Sequence, residues 1–317
     1  MSQTRRPVIA AAIDVGSNSV HLLGAVVAGH RLVPLVDESE LLGLGSTVDI
    51  HGRLGPVRRA ELVALLVRYV DKSRQLGASS VTIIGTEPMR RASDADTVAA
   101  EVLRTTSETL HILSHEEEAF LTLLGVTAGK RVPAELGVVD VGGGSSEVAL
   151  VAPGRPAYAA GISIGSQRLT DRYAEHDPPT RDELAAIRDA ARAAMDLAPP
   201  GAPRVLIAVG GTATNLLRVL PEAALDGTLS RARIAEALAI LGAEPAAEAA
   251  ARHAVRPVRA RILPAGAAIL DALLEHYGLE QLKVSDAGIR EGAVFVVRHA
   301  AGKWRERLPV LAEGWAR

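Results

Sequence analysis

Val138 to Glu147 constrains this chain more than any other stretch. Val138-Val139-Asp140-Val141 runs into Gly142-Gly143-Gly144, and Ser145-Ser146-Glu147 leads out toward Val148, Leu150 and Val151. Apolar residues on both sides of a glycine run read as strand, tight loop, strand. Consecutive glycines remove every Cβ from the loop, so its backbone amides can close on an anion, and Ser145 adds a hydroxyl donor. Asp140 and Glu147 would repel the same anion unless a cation sits between them or one of them handles a proton. The combination points to phosphate chemistry.

Composition limits what such a loop can belong to. A chain of 317 residues exceeds one ordinary core, and two domains are expected. With 48% hydrophobic and 23% charged residues it is a folded globular chain and not a disordered one. Thirty-five Lys+Arg against 37 Asp+Glu give a net charge of −2, so no global field recruits nucleic acid or an anionic membrane, and neither is expected as a partner. The absence of cysteine excludes disulfides, thiolate metal sites and cysteine nucleophiles, and suits a reducing cytoplasm. Met1 to Pro7 leads into a strand pattern and not a signal-peptide apolar region, and no apolar run has the length of a membrane span. The expectation is a soluble cytoplasmic protein.

Along the chain, Val8–Ile13 reads as a strand buried on both faces, Val20–Val27 as its return, and Gly29-His30 as a hairpin turn into a third strand, Arg31–Val36. A helix runs from Pro56 toward Gly77, then come a strand over Val81–Ile84, a helix over residues 94–106 and a strand over Leu110–Leu113. Ser114 with Glu117 three residues on has capping-box spacing, which starts another helix. From about Ala134 the plan repeats: strands at Leu136–Val139, Glu147–Val151 and Ala157–Ile162, a helix over Asp182–Leu197, a strand over Val205–Val209 and a helix after Gly210-Gly211-Thr212. Ala-rich helix punctuated by Pro245, Pro257 and Pro264 comes next, then a strand near Leu282–Val284 and a last helix from Ile289. Placing Asp14 on Asp140 puts Gly16 on Gly142 and Ser19 on Ser145. Two such hairpins, one per domain, would suit a phosphate ligand in a cleft.

Seven segments in order carry a family resemblance: Ile13-Asp14-Val15-Gly16-Ser17-Asn18-Ser19, Gly85-Thr86-Glu87-Pro88-Met89-Arg90, Glu116-Glu117-Glu118-Ala119, Val139 to Glu147, Ser163 to Leu169, Val209 to Ala213, and Ser285 to Gly292. Over nearly its whole length the chain resembles the exopolyphosphatase/guanosine pentaphosphate phosphatase family, in its short two-domain form. The resemblance implies an α/β fold of two actin-like (ribonuclease H-like) domains with an interdomain cleft, expected over residues 1–128 and 129–317, with the last helix returning to the first domain. It implies a hydrolase that releases terminal orthophosphate from inorganic polyphosphate, the alternative substrate being guanosine pentaphosphate, with Mg²⁺ or Mn²⁺ as cofactor and a homodimer as assembly. A phosphotransferase of the same superfamily and a noncatalytic polyphosphate or alarmone sensor are the rival classes.

Residue by residue, the resemblance makes Glu118 the catalytic base and Glu147 a second functional carboxylate, and assigns the metal to Asp14, Asp140 and Glu147. Phosphate contacts fall to Ser17, Asn18, Ser19, Arg90, Gly142, Gly143, Gly144, Ser145 and Arg168. Gly210, Gly211 and Thr212 join them, at the position where relatives in the wider superfamily bind adenosine. Arg suits a phosphate because it can donate two parallel hydrogen bonds. Arg252, His253, Arg256, Arg259 and Arg261 lie close together without an acid and could guide a polyanion or form a solvated helix face. His111 and His115 are not read as a zinc site, because Ser114 divides them between strand and helix.

Overall fold

The computed structural model describes residues 7–300 and 303–314; the stretch Met1 to Arg6, read as a lead-in without a signal segment, lies outside them. The chain divides into two compact units, one built from residues up to Arg131 together with those from Ala287 onward, the other from Val132–Asp286. The return from Ala287 means that the first unit is made from both ends of the chain.

In the first unit, β1 (Val8–Val15), β2 (Ser19–Ala28) and β3 (Arg31–Leu41) form an antiparallel meander, followed by α1 (Leu44–His51), α2 (Gly55–Gln75), β4 (Val81–Gly85), α3 (Glu87–Arg91), α4 (Ala95–Thr106), β5 (Leu110–Ile112) and α5 (His115–Thr127). The sheet order is β3-β2-β1-β4-β5, with β1, β4 and β5 parallel. Central β1 is buried on both faces, Ala12 and Ile13 alike being fully buried, which is why its apolar run is unbroken. Ile13 and Val15 are fully buried, while the edge strand β3 is largely exposed. Helix α2 starts with Pro56 in its first turn and buries Leu62, Leu65, Leu66, Tyr69 and Val70, a helical-period stripe. Ser114 accepts from the Glu117 amide while the Glu117 side chain accepts from the Ser114 amide, so α5 begins on the expected capping box.

The second unit repeats the order. β6 (Leu136–Val141), β7 (Ser146–Val151) and β8 (Tyr158–Ile162) form the meander; then come α6 (Ser166–Tyr173), α7 (Arg181–Ala193), β9 (Val205–Val209), α8 (Gly210–Val219), α9 (Pro221–Asp226), β10 (Thr228–Ser230), α10 (Arg231–Leu241), α11 (Ala246–His253), α12 (Pro257–His276) and β11 (Gln281–Val284). Its sheet runs β10-β11-β9-β6-β7-β8, the order of the first unit with β10 added outside β11. Two sheets of the ribonuclease H-like order, each with its own helices and core, give the α/β class expected. Pro264 does not end a helix: α12 continues through it, with Leu263, Pro264 and Ala265 all buried. Tertiary packing there outweighs the lost backbone hydrogen bond.

The chain returns as α13 (Ile289–Ala300) and α14 (Trp304–Ala312). Helix α13 lies backbone to backbone on α5. A methyl at Gly292 would sit 1.8 Å from the Leu121 carbonyl oxygen, and one at Gly125 would sit 1.9 Å from that of Gly288. No described helix is long and apolar enough to cross a membrane.

Candidate active site

In the second unit the glycine loop is fastened by its carbonyls. Gly142 O accepts from the Ser166 amide at 2.9 Å and from its hydroxyl at 3.1 Å, and Gly143 O accepts from the Arg168 amide at 3.0 Å. The Gly142 amide closes the turn onto Ser145 O at 3.0 Å. Among the described residues no acceptor is bonded to the Gly143, Gly144 or Ser145 amides. Asp140 and Glu147 are direct partners across the antiparallel β6–β7 pair, so their side chains share one face of the sheet. Ser145 donates to Glu147 Oε1 at 2.6 Å, and Glu147 is buried. Gly210 has φ +79°, and a methyl there would lie 2.4 Å from Asp140 Oδ1. Only glycine both adopts that backbone and leaves room for the carboxylate at the start of α8. Burial pushes Asp140 up to about 6, partly offset by the Arg259 guanidinium. Arg259 itself is lowered by burial and by Arg256.

The first unit carries a matching hairpin. Gly16 N donates to Ser19 O at 3.1 Å, and the loop carbonyls are again fastened, Ser17 O by the Gly45 amide at 2.8 Å and Asn18 O by the Leu42 and Gly43 amides at 3.1 and 3.0 Å. Ser19 Oγ meets His21 Nε2 at 2.7 Å, the counterpart of Ser145 and Glu147. Thr86 Oγ1 donates to Val15 O at 3.1 Å as Thr212 Oγ1 donates to Val141 O at 2.7 Å. Asp14/Asp140, Val15/Val141, Gly16/Gly142, Ser19/Ser145, His21/Glu147 and Thr86/Thr212 all stand at one constant offset. The two hairpins differ where it matters chemically: an Asp–Glu pair in the second unit, an Asp–His pair in the first.

Three glutamates in the first turn of α5 have separate fates. Glu116 is exposed. Glu117 is engaged by the capping box and by Arg305. Glu118 is buried and ion-paired to Arg90 Nη1 at 2.6 Å. Arg90 also donates to Leu113 O at 3.0 Å and meets His115 Nδ1 at 3.0 Å. His111 instead lies edge-on to Trp304 at 5.4 Å, so the two histidines have different partners.

Not every expected phosphate contact points a free group outward. Ser17 Oγ donates to Glu87 at 2.9 Å, and the Thr212 hydroxyl is committed to Val141. Arg168 Nη1 donates to Ser163 O at 3.2 Å. The basic row disperses: Arg252 pairs with Glu244 at 2.8 Å, Arg261 donates to Ala174 O at 2.6 Å, Arg259 lies against Gly211 and Asp140, and Arg256 is exposed. Sequence reasoning gave His21 no role, placed Arg259 only in the basic row, and placed Arg290 only within the Ser285 to Gly292 segment. Carrying the constant offset two residues past Ser19 would have found His21. Arg290 pairs with Asp37 at 2.5 Å and lies within electrostatic reach of Asp14, contacts that only the fold brings together.

Residues 23–300 match the Ppx/GppA phosphatase family. The chain belongs to the Ppx/GppA phosphatase family. Family membership makes it a phosphatase, hence a hydrolase. It is 30% identical over 309 residues to exopolyphosphatase 2 of Mycobacterium tuberculosis, covering 89% of this chain and 96% of the relative. Exopolyphosphatase 1 of the same organism is 26% identical over 302 residues, covering 89% and 86%. Among solved structures, the Ppx/GppA member from Aquifex aeolicus superposes with a TM-score of 0.79 at 26% identity, covering 92% of this chain and 97% of that one. An exopolyphosphatase from Cytophaga hutchinsonii, at 21% identity and a TM-score of 0.77, shares the fold.

Proposed function

We propose that this Ppx/GppA chain releases terminal orthophosphate from inorganic polyphosphate. The observation that carries the reading is the glycine loop, whose carbonyls are tied to α6 while the Gly143, Gly144 and Ser145 amides keep no protein acceptor among the described residues. Such amides form a nest for phosphate oxygens. The names of the mycobacterial relatives supply the substrate class.

Asp140 and Glu147 fit a hard divalent cation, since two carboxylates directly opposite one another repel and burial raises Asp140. In this reading they would hold Mg²⁺ or Mn²⁺, with Asp14 assigned the same role in the first unit, and the ion when bound would offset charge on the transferred phosphoryl group. Glu118 accepts the proton of the attacking water, and the ion pair with Arg90 orients its carboxylate. The water oxygen bonds to the terminal phosphorus, the bridging P–O bond breaks, and the shortened chain leaves as its oxyanion. Gly142 to Ser145, Asn18, Ser19 and Arg168 position phosphate, and Gly210 and Gly211 shape the carboxylate's surroundings. A cytoplasmic homodimer completes the reading, checked by sedimentation of the purified protein.

Phosphate release from long polyphosphate and from guanosine pentaphosphate tests the proposal. Glu118→Gln should lower release from polyphosphate by about 10²–10⁴-fold while polyphosphate binding persists. Removal of divalent metal should abolish turnover. Release from the guanosine compound alone would overturn the assignment, as would phosphate passed to an acceptor and not to water.

A further inference from the structure

The first turn of α5 is held from two sides, and only one of them lies in the motifs singled out by sequence. On one side stands Arg90, bonded to Leu113 O and Glu118. On the other stands Arg305, in the last helix. Its Nε donates to Glu117 Oε1 at 2.7 Å, and its Nη2 donates to Glu117 Oε2 at 2.6 Å and to Ile112 O at 3.0 Å. Helix α14 is seated by Trp304, Leu308 and Leu311, all buried, with Trp304 edge-on to His111 of β5. The guanidinium is therefore delivered by a packed helix to the last strand carbonyl before the turn and to the carboxylate that closes the turn.

The same Glu117 carboxylate accepts from the Ser114 amide at 2.9 Å, and Ser114 O accepts from the Glu118 amide at 3.0 Å. Moving Glu117 thus moves Ser114, and moving Ser114 moves Glu118. Burial raises Glu117, but the Arg305 fork and the Ser114 amide outweigh it and hold the group below the ordinary carboxylate range. A bidentate Arg–carboxylate pair fixes orientation as well as distance, which a Lys at the same place would not do.

We propose that Arg305 is a positioning residue for Glu118, acting through Glu117 and the Ile112 carbonyl, so that the C-terminal helix braces the turn that carries the base. The proposal rests on the reading of Glu118 as base, but its physical half can be measured without substrate. Amide hydrogen exchange in Arg305→Met should quicken about tenfold at Glu117 and Glu118 while Leu123 and Leu124 of the same helix keep wild-type rates. Its kcat for polyphosphate should fall about tenfold with KM within about twofold, the signature of a misplaced group and not of lost substrate contacts. Leu311→Ala, which loosens α14 at its far end, should lower Tm without either change. Arg305→Lys should recover less than half of the lost kcat.

Wild-type exchange rates and kcat in Arg305→Met would overturn the proposal. So would Leu311→Ala reproducing both effects, or full recovery by Arg305→Lys, which would assign the effect to charge and not to the fork. If wild-type protein releases no phosphate, the functional reading fails on its own, and unchanged exchange in Arg305→Met would still be the result that removes the brace.

Discussion

At Asp140 burial and charge oppose one another. Its carboxylate lies on the same face as Glu147, over the start of α8, and burial raises it from 3.8 to about 6. A folded state that holds a proton more tightly than the unfolded one loses stability as pH rises between the two values. Metal-free protein should therefore lose about 3 kcal/mol between about pH 4 and 6 from this group. Urea unfolding across that range should show the slope, and Asp140→Asn should remove it. Gly210→Ala would force the carboxylate aside and strain a φ of +79°. A cost of about 1–2 kcal/mol in stability is expected, with a far larger fall in kcat, read by comparing Tm with phosphate release. The hairpin positions of Asp14, Ser19, Asp140 and Ser145 were legible in the sequence because residue type and spacing within one hairpin define them. The contacts of Arg259 with Asp140 and of Arg290 with Asp37 were not, because those neighbours are distant in the chain and only the fold brings them close.

Among elements, the contact of α5 with α13 is the least forgiving. Gly292 and Gly125 allow the two backbones to touch, and neither obstructing group is a side chain able to rotate away. Gly292→Val should push α13 off α5 at a cost above about 3 kcal/mol, visible as a fall in the chemical-denaturation midpoint. Long amphipathic α2 and capped α5 were readable beforehand, since a helical stripe and a capping box are local signals. Short α1, α3 and α6, of eight, five and eight residues, were missed because so few turns establish no period. Pro264 misled for a different reason. Its local preference to end a helix is overridden by the buried setting of α12.

For the molecule as a whole, the repeated strand order and constant offset give two copies of one plan that differ chiefly in the helices after each meander. The offset was visible in sequence at three positions; the structure extends it to Thr86/Thr212 and to the His21/Glu147 difference that separates the two hairpins. Because the first unit closes with α13 and α14, synthesis order has a consequence. A ribosome finishes the second unit at Asp286, before the helices that complete the first have been made. During translation the second unit should mature ahead of the first, although the first begins earlier. Nascent chains arrested after residue 286 and well clear of the exit tunnel should resist proteolysis over 132–286 and be cut within 7–131. The first turn of α5 then acquires its Arg305 contacts only when α14 emerges, so a translation product interrupted before Arg305 lacks that support.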